Sequence, residues 1–488
     1  MEQLKQTFQQ CLSQVELIAR RLALDQLSGL EGGYLEIEEP DGNVVKLGKR
    51  PAEERNGADP PNGKSRAGAT ATTTTTTTTT TTVAGPIRRE GKLKVHSPYF
   101  WIRVVLAGDN GFAESYMLGE ISSPDITAFF EVIMMHYTAV LRRTSGRSTS
   151  SSLNPASYLD TLSAPYRLVR TYVLRKVNDI GTARLNAQAH YSLSNAIFAA
   201  FLSPDMTYSA PLWLPPTDPG ASEETLEHAQ RRKLRATIAA ARIGPEDHVL
   251  EIGAGWGSFA IEAVSETGCR VTTVTPSAEQ KALVEARARD AGVGDRVTVL
   301  CCDYREVRTH VAEARGGRRF DKIISIEMIE HVGHRYLETY FACVDEYLTT
   351  DSTGIAVFQC ITMPESRYAN YLATEDFLQK YIFPGGELPT PSGLVDAIVK
   401  GSQGRLMVEE MKSIAAHYPR ALRLWREKFE ENFEAVIAPD LKRKNTSMTE
   451  ADIQVFRRKW EVSNPRHSPP LLLRATLRSY AEFTGAFY

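Results

Sequence analysis

From Ala240 onward the chain alternates two textures in a way that few folds satisfy. Short runs rich in β-branched and apolar residues (His248–Ile252, Val271–Val274, Val297–Leu300, Lys322–Ile326 and Ile355–Phe358) are separated by stretches of helical pattern, among them Ser277–Ala291 and Arg335–Leu348. Apolar runs of this length read as strands buried on both faces, and a helix-length return between them adds each new strand in parallel. The alternation predicts an α/β fold, a doubly wound Rossmann-like sheet covered by helices. Its first run leads into Glu251-Ile252-Gly253-Ala254-Gly255-Trp256-Gly257. Glycines at a strand-to-helix turn let the main chain approach a ligand that side chains would hold off. The spacing is not that of a dinucleotide site. Ser258 stands where a third glycine is wanted, and Thr275-Pro276 takes the place of the acidic ribose ligand expected about 20 residues on. A nicotinamide enzyme is disfavoured.

The region before this sheet has a different texture. The chain opens with Leu4, Phe8, Cys11, Leu12, Val15, Ala19 and Leu22 at helical spacing, which predicts an amphipathic helix, packed on its own domain in preference to the alternative of a membrane-surface helix. Tyr34–Glu38 and Val44–Leu47 flank Pro40-Asp41-Gly42-Asn43, a hairpin signature. Leu93–Val95, the apolar Tyr99–Leu106 and a helical stretch at Ile126–Leu141 follow. Between them, residues 51–86 carry an unbroken Thr tract, Thr72 to Thr82, with no apolar face to bury, and are expected to form a mobile loop. Thr144–Ser152 reads as a linker. The expected division is a small α+β domain over 1–155 and a larger sheet domain over 156–488.

Composition excludes several function classes. The 57 Lys+Arg against 59 Asp+Glu give a formal net charge of −2, so there is no overall basic footprint for a nucleic-acid partner. No run approaches the roughly 18 apolar residues that span a bilayer. The six cysteines include no C-x-x-C pair, and no Cys/His cluster completes a ligand set, so neither a disulfide framework nor a metal site is expected. A reducing, cytoplasmic setting fits.

Further segments surround the glycine turn: His190-Tyr191-Ser192-Leu193-Ser194-Asn195, Met206-Thr207-Tyr208-Ser209, Thr275-Pro276-Ser277-Ala278-Glu279-Gln280, Asp303-Tyr304-Arg305, Glu327-Met328-Ile329-Glu330-His331-Val332-Gly333 and Tyr381-Ile382-Phe383-Pro384-Gly385-Gly386. In this order they resemble the cyclopropane-fatty-acyl-phospholipid synthase family of S-adenosylmethionine-dependent lipid methyltransferases. The likeness runs from about Ala187 to near Phe429, and more loosely through Ala113–Met117 and Gly119. It implies a class I methyltransferase domain with helical additions, preceded by a small domain that presents lipid and supports self-association, with a homodimer as one form. It also implies that Gly253, Gly255 and Gly257, with Glu251 and Trp256, floor the cofactor site. Thr275 and Gln280 would contact the cofactor, Asp303 and Tyr304 would hold its adenine, and Tyr208 and Ser209 would close over it. Local alternatives stand beside these roles: Ser277-x-x-Gln280 and Asp303-x-x-Glu306 also read as capping boxes.

The implied chemistry is attack of an acyl-chain double bond on a sulfonium methyl. The resulting carbocation needs an apolar, water-excluding pocket rich in electron density. Ring closure then needs a base, which the resemblance supplies as bound bicarbonate held by Glu330, Tyr418 and the main chain of Ile361. Two positions depart from the family pattern: Ala210 stands where Cys is usual, and Gln359 where His is common, although Gln still donates a hydrogen bond. With weaker placement of the base the cation resolves instead to a methylene branch, which a separate reductase would turn into a methyl branch. The expected partners are unsaturated phospholipid acyl chains and, transiently, the membrane surface. Trp425, Phe429, Phe433 and Phe456 would cover the acyl pocket. Arg420, Arg423, Arg426, Lys442, Arg443, Lys444, Arg457, Arg458 and Lys459 would either meet headgroups or form a solvated face. The rival readings are a small-molecule methyltransferase on the same fold and a catalytically silent lipid binder.

Overall fold

The computed structural model describes residues 2–30, 33–49, 90–144, 193–310, 318–463 and 485–487. The Thr-rich insert, the linker beyond Thr144, the boundary at 155 and residues 190–192 lie outside them.

The first part builds a four-stranded sheet. It contains α1 (Glu2–Leu27), β1 (Tyr34–Glu38), β2 (Val44–Gly48), β3 (Glu90–Val95), α2 (Tyr99–Leu118), β4 (Ile121–Ser122) and α3 (Ile126–Thr144). The strand order is β2-β1-β3-β4, with β1 and β3 parallel. The expected hairpin forms with Glu38 opposite Val44; Gly42 takes φ +85°, and Asn43 N–H donates to Asp41 Oδ1 at 3.0 Å. Tyr99–Leu106 is the first half of α2, which bends at Gly108 (φ 54°, ψ −126°). Leu35, Ile37, Leu93, Val95, Phe100, Trp101 and Phe129 form the core. On α1 the docking face runs through Val15, Ala19, Ala23 and Leu27 at four-residue steps. Leu22 falls off that face and is 44% exposed, contrary to the expected stripe.

The second part continues with α4 (Asn195–Phe201), α5 (Leu226–Ala240), β5 (His248–Ile252), α6 (Ser258–Thr267), β6 (Arg270–Thr275), α7 (Ala278–Asp290), β7 (Val297–Cys301), β8 (Lys322–Ile326), α8 (Leu337–Tyr347) and β9 (Ile355–Gln359). It ends with α9 (Glu365–Ala373), α10 (Pro391–Gly401), α11 (Tyr418–Asn432), α12 (Ala438–Lys444), α13 (Glu450–Ser463) and β10 (Gly485–Phe487). The sheet order is β7-β6-β5-β8-β9-β10, parallel except for β10. Each expected strand is present within one or two residues. The order reverses between β5 and β8, and a crevice at such a switch point is where open α/β sheets bind ligands.

Helices α4, α11, α12 and α13 cover the crevice through an aromatic cluster including Phe201, Trp425, Phe429, Phe433, Phe456 and Trp460. Many of the basic residues on this cover are engaged within the chain. Arg420 lies 3.9 Å over the Trp213 ring and donates to the carbonyls of Ala221 and Glu224. Arg426 bonds Glu430 at 2.6 Å, Lys442 pairs with Glu450, Arg443 with Asp440 and Arg457 with Glu434. Lys459 is buried over Phe456. The two parts meet where Ala113 and Met117 of α2 pack on Phe377, Tyr381 and Val455. Glu114 Oε1 accepts from both Lys380 Nζ (3.0 Å) and Tyr381 Oη (2.9 Å), and Tyr116 Oη donates to Glu461.

Candidate active site

The C-terminal ends of β5, β6 and β8 and the turn after β7 surround a cavity of about 500 Å³. Tyr208, Ser209, Glu251, Gly253, Gly255, Trp256, Thr275, Gln280, Asp303 and Tyr304 all line it. Gly257 lies outside the lining. It takes φ +87° as the residue before α6, and a Cβ there would meet Val284 Cγ1 at 2.9 Å, so its role is to let α6 and α7 approach. Gly255 is different: it lines the cavity with φ +48°, and a Cβ there would meet nothing within 4 Å, so the cavity is open above it.

The polar groups on this side are braced by capping bonds. Ser277 caps α7 by accepting from Gln280 N–H, but the reciprocal half of the capping box is absent. The Gln280 side chain instead accepts from Thr275 Oγ1 at 2.6 Å, which fixes both groups at the cavity wall. Asp303 forms the full capping box with Glu306 and also binds Arg305 through both oxygens, and that pairing holds its carboxyl below the usual range. Below Ser209, the buried Lys233 donates from Nζ to Ser209 Oγ (2.8 Å), and Gln230 Nε2 donates to the Ser209 carbonyl (2.7 Å). Glu251 is buried with Oε2 unpartnered; burial pushes its carboxyl up to about 8, partly offset by the nearby Thr273 hydroxyl and then by the charge of Lys233.

The opposite side, at the ends of β8 and β9, holds the catalytic candidates. Glu330, Gln359, Ile361, Ala210 and Tyr418 lie outside the cavity lining and stand behind it. The structure ties Glu330 to Ile361, and ties Ala210 and Gln359 to a residue that the sequence reading assigned no role, Glu327. Its Oε1 accepts from Ala210 N–H (2.8 Å) and Gln359 Nε2 (2.9 Å), while its own N–H donates to the Gln359 carbonyl (2.6 Å). To do this Glu327 adopts φ +49°. Such a conformation costs a non-glycine residue about 1–3 kcal/mol and persists only where surroundings enforce it. Glu330 is buried and accepts at Oε1 from Ile361 N–H (2.6 Å), with Oε2 unpartnered. Burial pushes its carboxyl up to about 8, with the Glu327 charge adding to the effect. Glu327 is also raised by burial, against the pull of Ala210 N–H, Lys233 and Gln359. Burial thus raises both carboxyls, and of the two Glu327 has more of the donors that favour a charge.

Tyr418 begins α11 and meets Trp425 edge-on at 6.1 Å, and Trp425 in turn lies 5.1 Å from Tyr208. Phe198 and Phe383 complete an aromatic wall around Tyr208, at 5.5 and 6.2 Å. Lys233, Glu327, Met328, His331, Phe198 and Phe383 are cavity residues that the sequence reading gave no role. For Glu327 a signal existed: an acidic residue directly after an apolar strand, three before Glu330. Nothing comparable marks Lys233, which lies on a helix before the sheet.

The residues present fit S-adenosylmethionine. The space over Gly255, the unpartnered oxygen of Glu251 for an ammonium, the fixed Thr275–Gln280 pair and the Tyr304 ring suit a cationic ligand with a sugar and a base, in a cavity of ordinary ligand size. They do not fit bicarbonate. The Ile361 N–H is spent on Glu330, the Ala210 N–H and the Gln359 amide are spent on Glu327, and a second anion would stand beside an existing carboxylate.

Residues 179–451 match the family model described as mycolic acid cyclopropane synthetase, more than half of the chain. The chain is 34% identical to the tuberculostearic acid methyltransferase UfaA1 of Mycobacterium tuberculosis over 72% of its own length and 73% of that protein's. It is 30% identical to the cyclopropane-fatty-acyl-phospholipid synthase of Escherichia coli, covering 69% and 76%. Among solved structures, coclaurine N-methyltransferase superposes with a TM-score of 0.50 at 18% identity over 78% of this chain and 99% of that one, a likeness of fold. The fold, the glycine-floored cavity and these matches place the chain in the mycolic acid cyclopropane synthetase family, as an S-adenosylmethionine-dependent methyltransferase.

Proposed function

We propose that the protein transfers a one-carbon unit from S-adenosylmethionine to the double bond of an unsaturated acyl chain in a phospholipid. One observation carries the reading: an aromatic wall (Phe198, Tyr208, Trp256, Phe383) faces the cofactor cavity and ends at a buried carboxyl pair, Glu327 and Glu330. Rings stabilise a passing carbocation and a carboxyl pair manages its proton. When bound, S-adenosylmethionine supplies an electrophilic methyl on a sulfonium sulfur. Glu251, Thr275, Gln280 and Asp303 orient it, Gly253 and Gly255 leave it room, and Tyr208 with Ser209 shields it from water. Glu330, tied to Ile361, and Tyr418 back the far wall.

The first product reading is a cyclopropane ring. The second, a methylene branch that a reductase would complete, is supported by Ala210 and Gln359 and by the name of the tuberculostearic acid methyltransferase among the relatives. Vesicles of dioleoyl and of dipalmitoyl phospholipid, each incubated with methyl-labelled cofactor, test the proposal: label enters only the unsaturated lipid. Proton NMR of the product separates ring from methylene. Equal labelling of both lipids, or label confined to a water-soluble acceptor, refutes it and favours a small-molecule methyltransferase.

A further inference from the structure

We infer that Glu327 is the resident base of this site, standing in for an exogenous anion and accepting the proton that leaves the newly delivered carbon. The inference rests on the double-bond reading above. Of the residues gathered at the ends of β8 and β9, Glu327 is the carboxylate that reaches the cavity, next to Tyr208 and Met328, whereas Glu330 and Gln359 stand behind the wall. Its two donors hold Oε1, and among the described residues Oε2 has none, which leaves a lone pair for a proton. The main chain is held in a left-handed conformation to place that carboxylate, clamped to Gln359 by one main-chain and one side-chain bond. Local strain sustained by a dedicated clamp at a strand end is a mark of a working group.

The two departures from the family pattern then share one cause. Ala210 offers no side chain to an anion, yet its N–H binds Glu327. Gln359 offers an amide, and that amide also binds Glu327. Both positions serve a carboxylate that the chain carries itself. Glu330 is the poorer acceptor because it lies outside the cavity lining, its Oε1 is tied to Ile361 and burial pushes its carboxyl up to about 8. The step balances without another reactant. The C–H bond of the delivered methyl breaks, and its proton goes to Glu327 Oε2. Its electron pair either closes the ring onto the adjacent cationic carbon or, after a hydride shift makes the branch carbon cationic, forms the C=CH₂ bond. The proton then leaves to solvent when the site opens.

The test uses the full-length enzyme, dioleoyl phosphatidylglycerol vesicles and cofactor with a deuterated methyl, in buffer purged of carbon dioxide or supplemented with bicarbonate. Wild-type turnover is expected to agree within about twofold between the buffers, and the product to keep two of the three methyl deuterons. Glu327→Gln is expected to lose about 100-fold or more in turnover, the scale of general-base catalysis, with calorimetric cofactor affinity within about threefold. A wild-type rate that collapses about tenfold on purging and returns with bicarbonate, a product keeping all three deuterons, or an unimpaired Glu327→Gln overturns the inference while leaving the double-bond reading intact. Wild-type enzyme that puts no label in lipid removes both. If Glu327→Gln does not fold, the bicarbonate comparison and deuteron count on wild-type enzyme decide alone.

Discussion

On the β5–β6–β7 side of the cavity, the buried Glu251 apart, the groups that would meet a ligand are main chain or short polar side chains already braced by helix caps and turns. On the β8–β9 side they are carboxyls whose bonding is incomplete: Glu330 keeps a buried oxygen unpartnered, and Glu327 holds a left-handed backbone. The first side is preorganised to bind, at little cost, because its bonds also serve the fold. The second stores electrostatic cost, which a binding surface has no need of and proton transfer does. The contrast predicts that changes on the second side alter turnover and changes on the first alter affinity or stability.

The largest effect that sharpens this division is at Glu330. Truncation in Glu330→Ala strands the Ile361 N–H and is expected to cost about 100-fold in kcat, whereas Glu330→Gln, which mimics the protonated acid, is expected to lose only about tenfold. Steady-state kinetics paired with cofactor titration reads both. An equal loss in the two variants, or a large fall in cofactor affinity, would blur the division.

Next come the glycines. Gly257→Ala adds a Cβ 2.9 Å from Val284 at φ +87° and is expected to destabilise the fold by about 1–3 kcal/mol. Gly255→Ala meets open space but also takes a left-handed φ of +48°, so it is expected to cost about 1–2 kcal/mol of backbone strain without a clash and, in addition, to weaken cofactor binding about tenfold. Melting curves with and without cofactor separate them; identical profiles would argue against a ligand over Gly255.

A smaller change is expected at Thr275→Ala, which removes the 2.6 Å bond to Gln280. One hydrogen bond is worth about 1 kcal/mol, so affinity should fall about fivefold with kcat unchanged.

The smallest signal is in pH. Glu251 and Glu330 bind protons more tightly folded than unfolded, from an ordinary 4.5 up to about 8. The folded chain therefore holds extra protons across that window, and its stability falls as pH rises through it. The melting temperature should decline from about pH 5 to about pH 8, and less steeply in Glu330→Gln. A rise over that range would show that these carboxyls are not held neutral.

The binding side was legible in the sequence because its parts are local. Strand periodicity located β5 to β9, and the glycine turn, Thr275-x-x-x-x-Gln280 and Asp303 each follow a strand end directly. The carboxyl side was legible only in pieces. Glu330 came through resemblance, but the bonds from Ala210 and Gln359 to Glu327 join residues 117 and 32 positions apart, and no local pattern encodes them. Gly257 lies outside the cavity lining for the converse reason, since the turn there lets two helices pack closely. Leu22 shows the same limit on α1: periodicity announced an apolar face, and only packing chose which stripe to bury.

The central claim is that this cavity delivers a carbon to a lipid double bond. Mass analysis of acyl chains after incubation of the enzyme with S-adenosylmethionine and unsaturated phospholipid vesicles tests it most directly. The account predicts a gain of one CH₂ unit per modified chain, located at the former double bond. Unmodified acyl chains, in enzyme that demonstrably binds the cofactor, would contradict it.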